Sequence, residues 1–236
     1  MNFRFEDGKK NFSRSLLVER FTREVLPLLN LDAPLRVAIV GGSESDEEVS
    51  ALRNVNASIK YTTFGIEDAE IYLDLNSDWE NSDFEKFDLV LCSQVFEHIW
   101  NHRQASITLL AIAKENGLVW ISVPASNRPH GSPEYFSAGL TADYLQNLFS
   151  LSRGNTVSSG LIGTKRNYAA THSLPYWLSI SAHRFPIVFG PADRVWWKRI
   201  LYLIKFFPTN LRLAFTNPKV KFDLENATES WILIRA

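Results

Sequence analysis

The sequence predicts an α/β domain, doubly wound with helices on both faces of a parallel sheet, and three observations predict it. Short apolar runs at residues 35–40 (LRVAIV), 87–92 (FDLVLC) and 118–123 (LVWISV) read as strands buried on both faces. Segments of helical spacing lie between them. Gly41-Gly42 stops the first run and Pro124 the third, as tight turns and sheet edges require. Strands alternating with helices call for right-handed crossovers.

Taken in order, residues 12–29 put Leu16, Leu17, Phe21, Val25 and Leu28 on one side of a helix, which Ala33-Pro34 breaks. After the first strand, the acidic stretch 45–48 opens a helix reaching about Asn54. Short strands follow at 59–64 and 70–73, then the 87–92 strand, a helix at 107–114 ended by Asn116-Gly117, and the 118–123 strand. Residues 140–149 read as one more helix. Beyond Leu151 the alternation gives way to prolines and aromatics until 231–234 (WILI) supplies a last strand. The expected organisation is one domain: an N-terminal helical segment (1–34), a ligand-binding core (35–160), an insertion or cap (163–226) and a final strand (227–236).

Composition narrows the function classes. A formal net charge of -1 gives no sign of a protein held to nucleic acid mainly by phosphate contacts, and no nucleic-acid partner is expected. The single cysteine, Cys92, excludes an intramolecular disulfide and a cysteine-rich zinc site, and it suits a reducing cytoplasm. The polar start MNFRFEDGKKNFSRS lacks the apolar core of a secretory signal, and no run approaches the roughly 20 apolar residues of a membrane span. Cytoplasmic location is the expectation. Residues 193–207 (DRVWWKRILYLIKFF) set Trp196, Trp197, Ile200 and Leu201 on one helical arc opposite Lys198, Arg199 and Lys205. Such a face packs on its own domain or forms a peripheral surface for anionic lipid or a protein partner.

The turn after the first strand, Val40-Gly41-Gly42-Ser43, is the first candidate ligand loop, because such folds bind ligands at the carboxyl edge of the sheet. It has no Gly-Lys-Ser/Thr for a phosphate cradle, and Ser43 interrupts a dinucleotide fingerprint. Glu44, Asp46, Glu47 and Glu48 crowd the place a pyrophosphate would occupy. A ligand carrying positive charge tolerates that neighbourhood better. These acids also complement the dipole of the helix they open. A nicotinamide-dependent sugar enzyme is disfavoured by the same acids and by the missing Tyr-x-x-x-Lys pair.

The most specific pattern is Phe87-Asp88 on its strand, Val95-Phe96-Glu97-His98-Ile99 after it, Glu115-Asn116-Gly117-Leu118, and Val123-Pro124. These four elements in register resemble the class I S-adenosylmethionine-dependent methyltransferases, of the small-molecule and glycan-modifying type with the V-h-E-H motif (h, apolar). The resemblance implies a Rossmann-like sheet, S-adenosyl-L-methionine as cofactor, and methyl transfer to O or N of a sugar, surface glycan or related small molecule. It places cofactor contacts at Val40, Gly41, Gly42, Ser43, Ser93 and Gln94, a ribose-binding acid at Glu67 in Gly65-Ile66-Glu67, and adenine contacts at Asp74 and Leu75. Ile39, Ser43 and Ser45 stand where the family has an acid and two further glycines. That departure motivates an alternative, a non-catalytic binding or scaffold protein on the same fold.

Residues 129–136 (PHGSPEYF) resemble the family's H-x-x-P-x-Y-W/F segment, which roofs the acceptor pocket, and so nominate His130 and Tyr135; a proline-shaped structural loop is the bland alternative. His98 is the expected base, because the resemblance sets it near the transferred methyl and imidazole titrates near neutrality. His130 is second, Glu97 orients one of them, and His102 contributes to the acceptor site. His98 and His102 are four apart, a spacing some metal sites use, but no further ligand lies at suitable spacing and no metal is expected.

Overall fold

The computed structural model describes residues 12–56, 58–79, 85–126, 137–163 and 227–236. Among these, seven strands form one sheet: β1 (Leu35–Val40), β2 (Ile59–Gly65), β3 (Ile71–Tyr72), β4 (Phe87–Ser93), β5 (Ala113–Pro124), β6 (Asn155–Ile162) and β7 (Glu229–Arg235). Their spatial order is β3-β2-β1-β4-β5-β7-β6. From β3 to β5 every pairing is parallel, as predicted. β7 departs from the prediction: it runs antiparallel to both β5 and β6, so the sheet is mixed. Strand β6 was not foreseen, because NTVSSGLI is polar and lies half-exposed at the sheet edge, where burial does not impose an apolar run.

Side-chain alternation divides the core in two. Val37 and Ile39 of β1 pack with Leu17 and Phe21 of α1 (Phe12–Glu24), with Val25 just after it, and with Val49 and Leu52 of α2 (Glu47–Arg53). Ala38 and Val40 point the other way, toward Ala105 and Leu109 of α3 (His102–Ile112) and Leu145 and Phe149 of α4 (Ala142–Leu151). Trp120 is fully buried on the α1 face, edge-on to Phe21 at 5.5 Å and stacked on Trp231 at 5.4 Å.

Element ends follow local chemistry. The first helix stops at Glu24, since Pro27 allows only a 3-10 turn (Leu26–Leu28), and Leu28 is 43% exposed rather than buried. Helix α3 begins five residues before the predicted start, because the Asn101 side chain accepts from the Gln104 N–H and caps it. Asn116 and Gly117, expected to end that helix, sit inside β5, where pairing steps from Phe87–Ala113 to Leu89–Leu118. Thr141 caps α4 through the Tyr144 N–H.

The carboxyl ends of β1, β2, β4 and β5 share one edge. Ile162, ending β6, and Glu229, opening β7, pair at that same edge, where the Thr228 N–H donates to the Ile162 carbonyl at 2.8 Å. The predicted insertion beyond Gly163, with the 193–207 stretch, lies outside the described residues.

Candidate functional site

Three chain reversals meet at the carboxyl edge, beginning with the one after β1. The Gly41 N–H donates to the Phe64 carbonyl at 2.8 Å, which bends the chain across the end of β2. Gly41 has φ +68, and a Cβ there would stand 2.6 Å from Val95 Cγ2. A Cβ on Gly42 would strike the Asp46 carboxylate. Gly41, Gly42 and Ser43 are exposed, so this turn presents open backbone beside the buried Val40.

The acidic run that follows divides into separate tasks. Asp46 accepts from the Ser43 N–H at 3.2 Å and closes the turn, while Ser43 Oγ contacts Ser45 Oγ at 2.7 Å. Glu44 pairs with Arg53, which lies over the Tyr61 ring. Glu48 is 1% exposed and accepts from Ser93 Oγ at 3.0 Å, tying α2 to the end of β4.

The second reversal leaves β4 at Ser93. Gln94 has φ +59, donates its N–H to the Ser122 carbonyl at 2.7 Å, and donates Nε2–H to Glu229 Oε2 at 3.0 Å. A 3-10 turn (Phe96–His98) then aims Glu97 inward and leaves His98 half-buried. The Glu97 side chain is fully buried, and among the described residues neither carboxyl oxygen has a hydrogen-bond partner on another residue. Burial pushes its pKa up to about 8; a bond to its own backbone opposes this, and the charge of Glu229 adds to it. Glu97 therefore holds its proton at neutral pH. His98 Nε2 lies 3.9 Å from Glu97 Oε1. Beneath them the buried Cys92 thiol is pushed up by burial and by Glu97, which makes it inert as a nucleophile.

His102, expected at the acceptor site, has both ring nitrogens engaged within the chain. Its Nε2 contacts the Phe96 carbonyl at 3.0 Å, its Nδ1 contacts the Tyr144 hydroxyl at 2.8 Å, and its ring stacks on Phe96 at 5.6 Å. A carbonyl only accepts, so Nε2 carries a proton and donates to Phe96, while Nδ1 shares a hydrogen bond with the Tyr144 hydroxyl. Both nitrogens are engaged, and the residue braces the 3-10 turn against α4.

The third reversal follows β2. Glu67 is exposed beyond Gly65, with Asp68 at φ 49. After β3, Leu75 is 3% exposed and belongs to the core, so a ligand meets this loop through other atoms than the Leu75 side chain. Asp74 accepts from the Asn76 N–H at 2.9 Å and from Ser77 Oγ at 2.9 Å. Asn76 Oδ1 in turn accepts from the Trp100 and Asn101 N–H groups at 2.9 and 3.2 Å.

His130 and Tyr135 lie outside the described residues. The described neighbours of that segment are tied at the same edge: Ala125 N–H donates to the Thr228 carbonyl, and Ser137 N–H donates to the Glu97 carbonyl at 3.2 Å. Sequence patterns gave no sign of Asn76, Tyr144 or Glu229 as site-forming residues, and Glu48 entered only as one of the acids after the first strand. Among the described residues, no three His, Cys, Asp or Glu side chains are grouped to hold a metal ion, and no helix is long and apolar enough to cross a membrane.

No family model matches the chain, and no curated protein matches it in sequence. Solved structures do resemble it. The 4+2 cyclase SpnF aligns over 98% of this chain and 85% of its own, with a TM-score of 0.60 and 13% identity. Coclaurine N-methyltransferase bound to N-methylheliamine and S-adenosylhomocysteine (SAH) aligns over 98% of this chain and 75% of its own, with a TM-score of 0.56 and 12% identity. The O-methyltransferase of a trans-AT polyketide synthase of Brevibacillus brevis, in complex with SAH, aligns over 99% and 82%, with a TM-score of 0.52 and 14% identity. At such identities the likeness shows the fold, the Rossmann-like sheet of class I methyltransferases. One of the three is named a cyclase, so the fold alone does not fix the reaction.

Proposed function

We propose that the chain is an S-adenosylmethionine-dependent methyltransferase that moves a methyl group to an O or N of a sugar, surface glycan or related small molecule. One observation carries this: the exposed Gly41–Gly42 turn and the Glu97–His98 turn sit side by side, with Val95 packed into the space a Gly41 side chain would fill. An open backbone cradle thus adjoins a buried acid and a half-buried imidazole.

The residues present fit the cofactor. Val40, Gly41, Gly42 and Ser43, with Ser93 and Gln94, would hold its amino-acid end against the sheet edge. Glu67, exposed and carboxylate-bearing, would accept from the ribose hydroxyls. The Asp74–Leu75 segment would border the adenine. When bound, the cofactor supplies an electrophilic methyl on a sulfonium.

The chain's own residues then align and deprotonate the acceptor. His98 takes a proton from an acceptor hydroxyl or ammonium on an imidazole nitrogen. Glu97, 3.9 Å away, keeps its own proton at neutral pH and borders the imidazole, so the proton taken from the acceptor stays on His98 and leaves to solvent from its exposed side. His102 and Tyr144 hold the turn that carries both. The resemblance of the 129–136 segment to the family's pocket roof nominates His130 and Tyr135 for contact with the acceptor. The sugar or glycan class rests on that same segment.

A second reading has its own observation. Asp46 engages the Ser43 N–H, at a turn where two family glycines are replaced by serines. A scaffold protein that no longer binds the cofactor accounts for this equally. Isothermal titration with S-adenosylmethionine and SAH separates the two. Saturable binding of both is expected, and no heat at roughly millimolar ligand, a strength near 4 kcal/mol, would leave the scaffold standing.

A further inference from the structure

Two loops that sequence reasoning treats separately are one hydrogen-bonded unit. The loop after β3 borders the proposed adenine position, and the turn after β4 carries Glu97 and His98. Asn76 joins them. Its Oδ1 accepts from the N–H groups of Trp100 and Asn101 at 2.9 and 3.2 Å, and its carbonyl accepts from Asn101 Nδ2 at 3.3 Å. Asn76 is itself fixed to Asp74, whose carboxylate accepts the Asn76 N–H at 2.9 Å and Ser77 Oγ at 2.9 Å. Asn101 is the N-cap of α3, and Ile99, between His98 and Trp100, is 7% exposed.

The turn is thus held from both sides. His102 grips the Phe96 carbonyl at its start, and Asn76 grips the amides of Trp100 and Asn101 at its end. The two grips differ in kind. His102 and its partner Tyr144 belong to α3 and α4, inside the rigid core, whereas Asn76 belongs to a loop that a nucleoside would touch.

We propose that Asn76 is a positioning residue that couples cofactor binding to the geometry of the Glu97–His98 turn. A ligand that orders residues 73–77 tightens Oδ1 on Trp100 and Asn101 and sets His98 for the acceptor. The inference rests on the cofactor reading above. It assigns the side-chain oxygen the coupling role and leaves the side-chain nitrogen without one.

That division makes the test specific. Asn76→Ala removes both accepted bonds and leaves the backbone carbonyl in place. Asn76→Asp keeps an acceptor for both amides, and its negative charge suits the N-terminus of α3. Amide hydrogen exchange is followed at residues 73–77 and at Trp100 and Asn101, with and without SAH, in full-length protein whose SAH binding is measured by calorimetry.

In the native chain SAH slows exchange in both places. In Asn76→Ala it still slows exchange at 73–77, while the roughly tenfold slowing at Trp100 and Asn101 is lost. Asn76→Asp restores it. Binding of SAH with an equal response at Trp100 and Asn101 in Asn76→Ala overturns the coupling and leaves the cofactor reading intact. Failure of Asn76→Asp to restore the response where it still binds SAH overturns the role of the oxygen. No binding of SAH to the native chain overturns the cofactor reading, and the coupling with it.

Discussion

Glu97 Oε1 lies 3.9 Å from His98 Nε2, with the carboxyl fully buried and the imidazole half-exposed to the sheet edge. The acid is turned inward with no hydrogen-bond partner on another of the described residues, and its neighbour is turned outward. Buried polar groups normally have partners, so an exception of this kind marks a working position more often than a packing one.

The buried acid fixes a pH dependence of stability. Its pKa is about 8 in the folded chain against an ordinary 4.5, so its contribution is fully present below pH 4.5 and is lost as pH rises through about 8. Glu97→Gln keeps the shape and removes the titration. Thermal unfolding should show the native chain losing stability between these limits, by up to several kcal/mol, or about 2–4 °C for each. Glu97→Gln should be nearly flat over the same range. A parallel slope in both proteins would show that Glu97 does not hold a shifted proton.

His98→Ala separates chemistry from binding. Turnover should fall by roughly 10²–10⁴, the usual worth of a general base, while SAH affinity stays within a few-fold. Equal loss of both would make His98 part of the cofactor site instead.

At Gly41 two penalties act together. An alanine meets Val95 Cγ2 at 2.6 Å and must adopt φ +68. Gly41→Ala should cost about 1–3 kcal/mol and abolish SAH binding. Adding Val95→Ala relieves the contact but not the backbone strain, so recovery in urea unfolding should be partial. Full recovery would mean that the conformation matters less than the clash.

Much of this site was legible in the sequence and some was not, for physical reasons. Phe87-Asp88, Glu97-His98 and Val123-Pro124 are local signals, since strand, turn and strand impose their own residue types within about forty positions. The pairing of Gln94 with Glu229 spans 135 positions, and that of Asn76 with Trp100 spans 24. Only the folded sheet edge brings them together. WILI was legible as a strand because β7 is buried on both faces. Its antiparallel direction was not, because direction depends on how β6 connects to it. The bonds of His102 to the Phe96 carbonyl and the Tyr144 hydroxyl were not legible, because a histidine four after another carries no mark of which nitrogen meets a carbonyl and which a tyrosine.

His102 and Tyr144 should behave as one brace. His102→Ala leaves the Phe96 carbonyl without its donor and should cost about 1–3 kcal/mol; Tyr144→Phe should cost about 1. Because they share a bond, the double variant should cost less than the sum by at least roughly 0.5 kcal/mol in urea unfolding. Strict additivity would dissolve the brace.

The central claim is that this edge holds S-adenosylmethionine and acts on an acceptor beside His98. A crystal structure of the full chain with SAH tests it most directly. The account predicts the ribose hydroxyls on the Glu67 carboxylate, the amino-acid end along Gly41 to Ser43, and the sulfur facing His98. A nucleoside bound elsewhere, or a loop still closed on Asp46 with no ligand at saturating SAH, would contradict it.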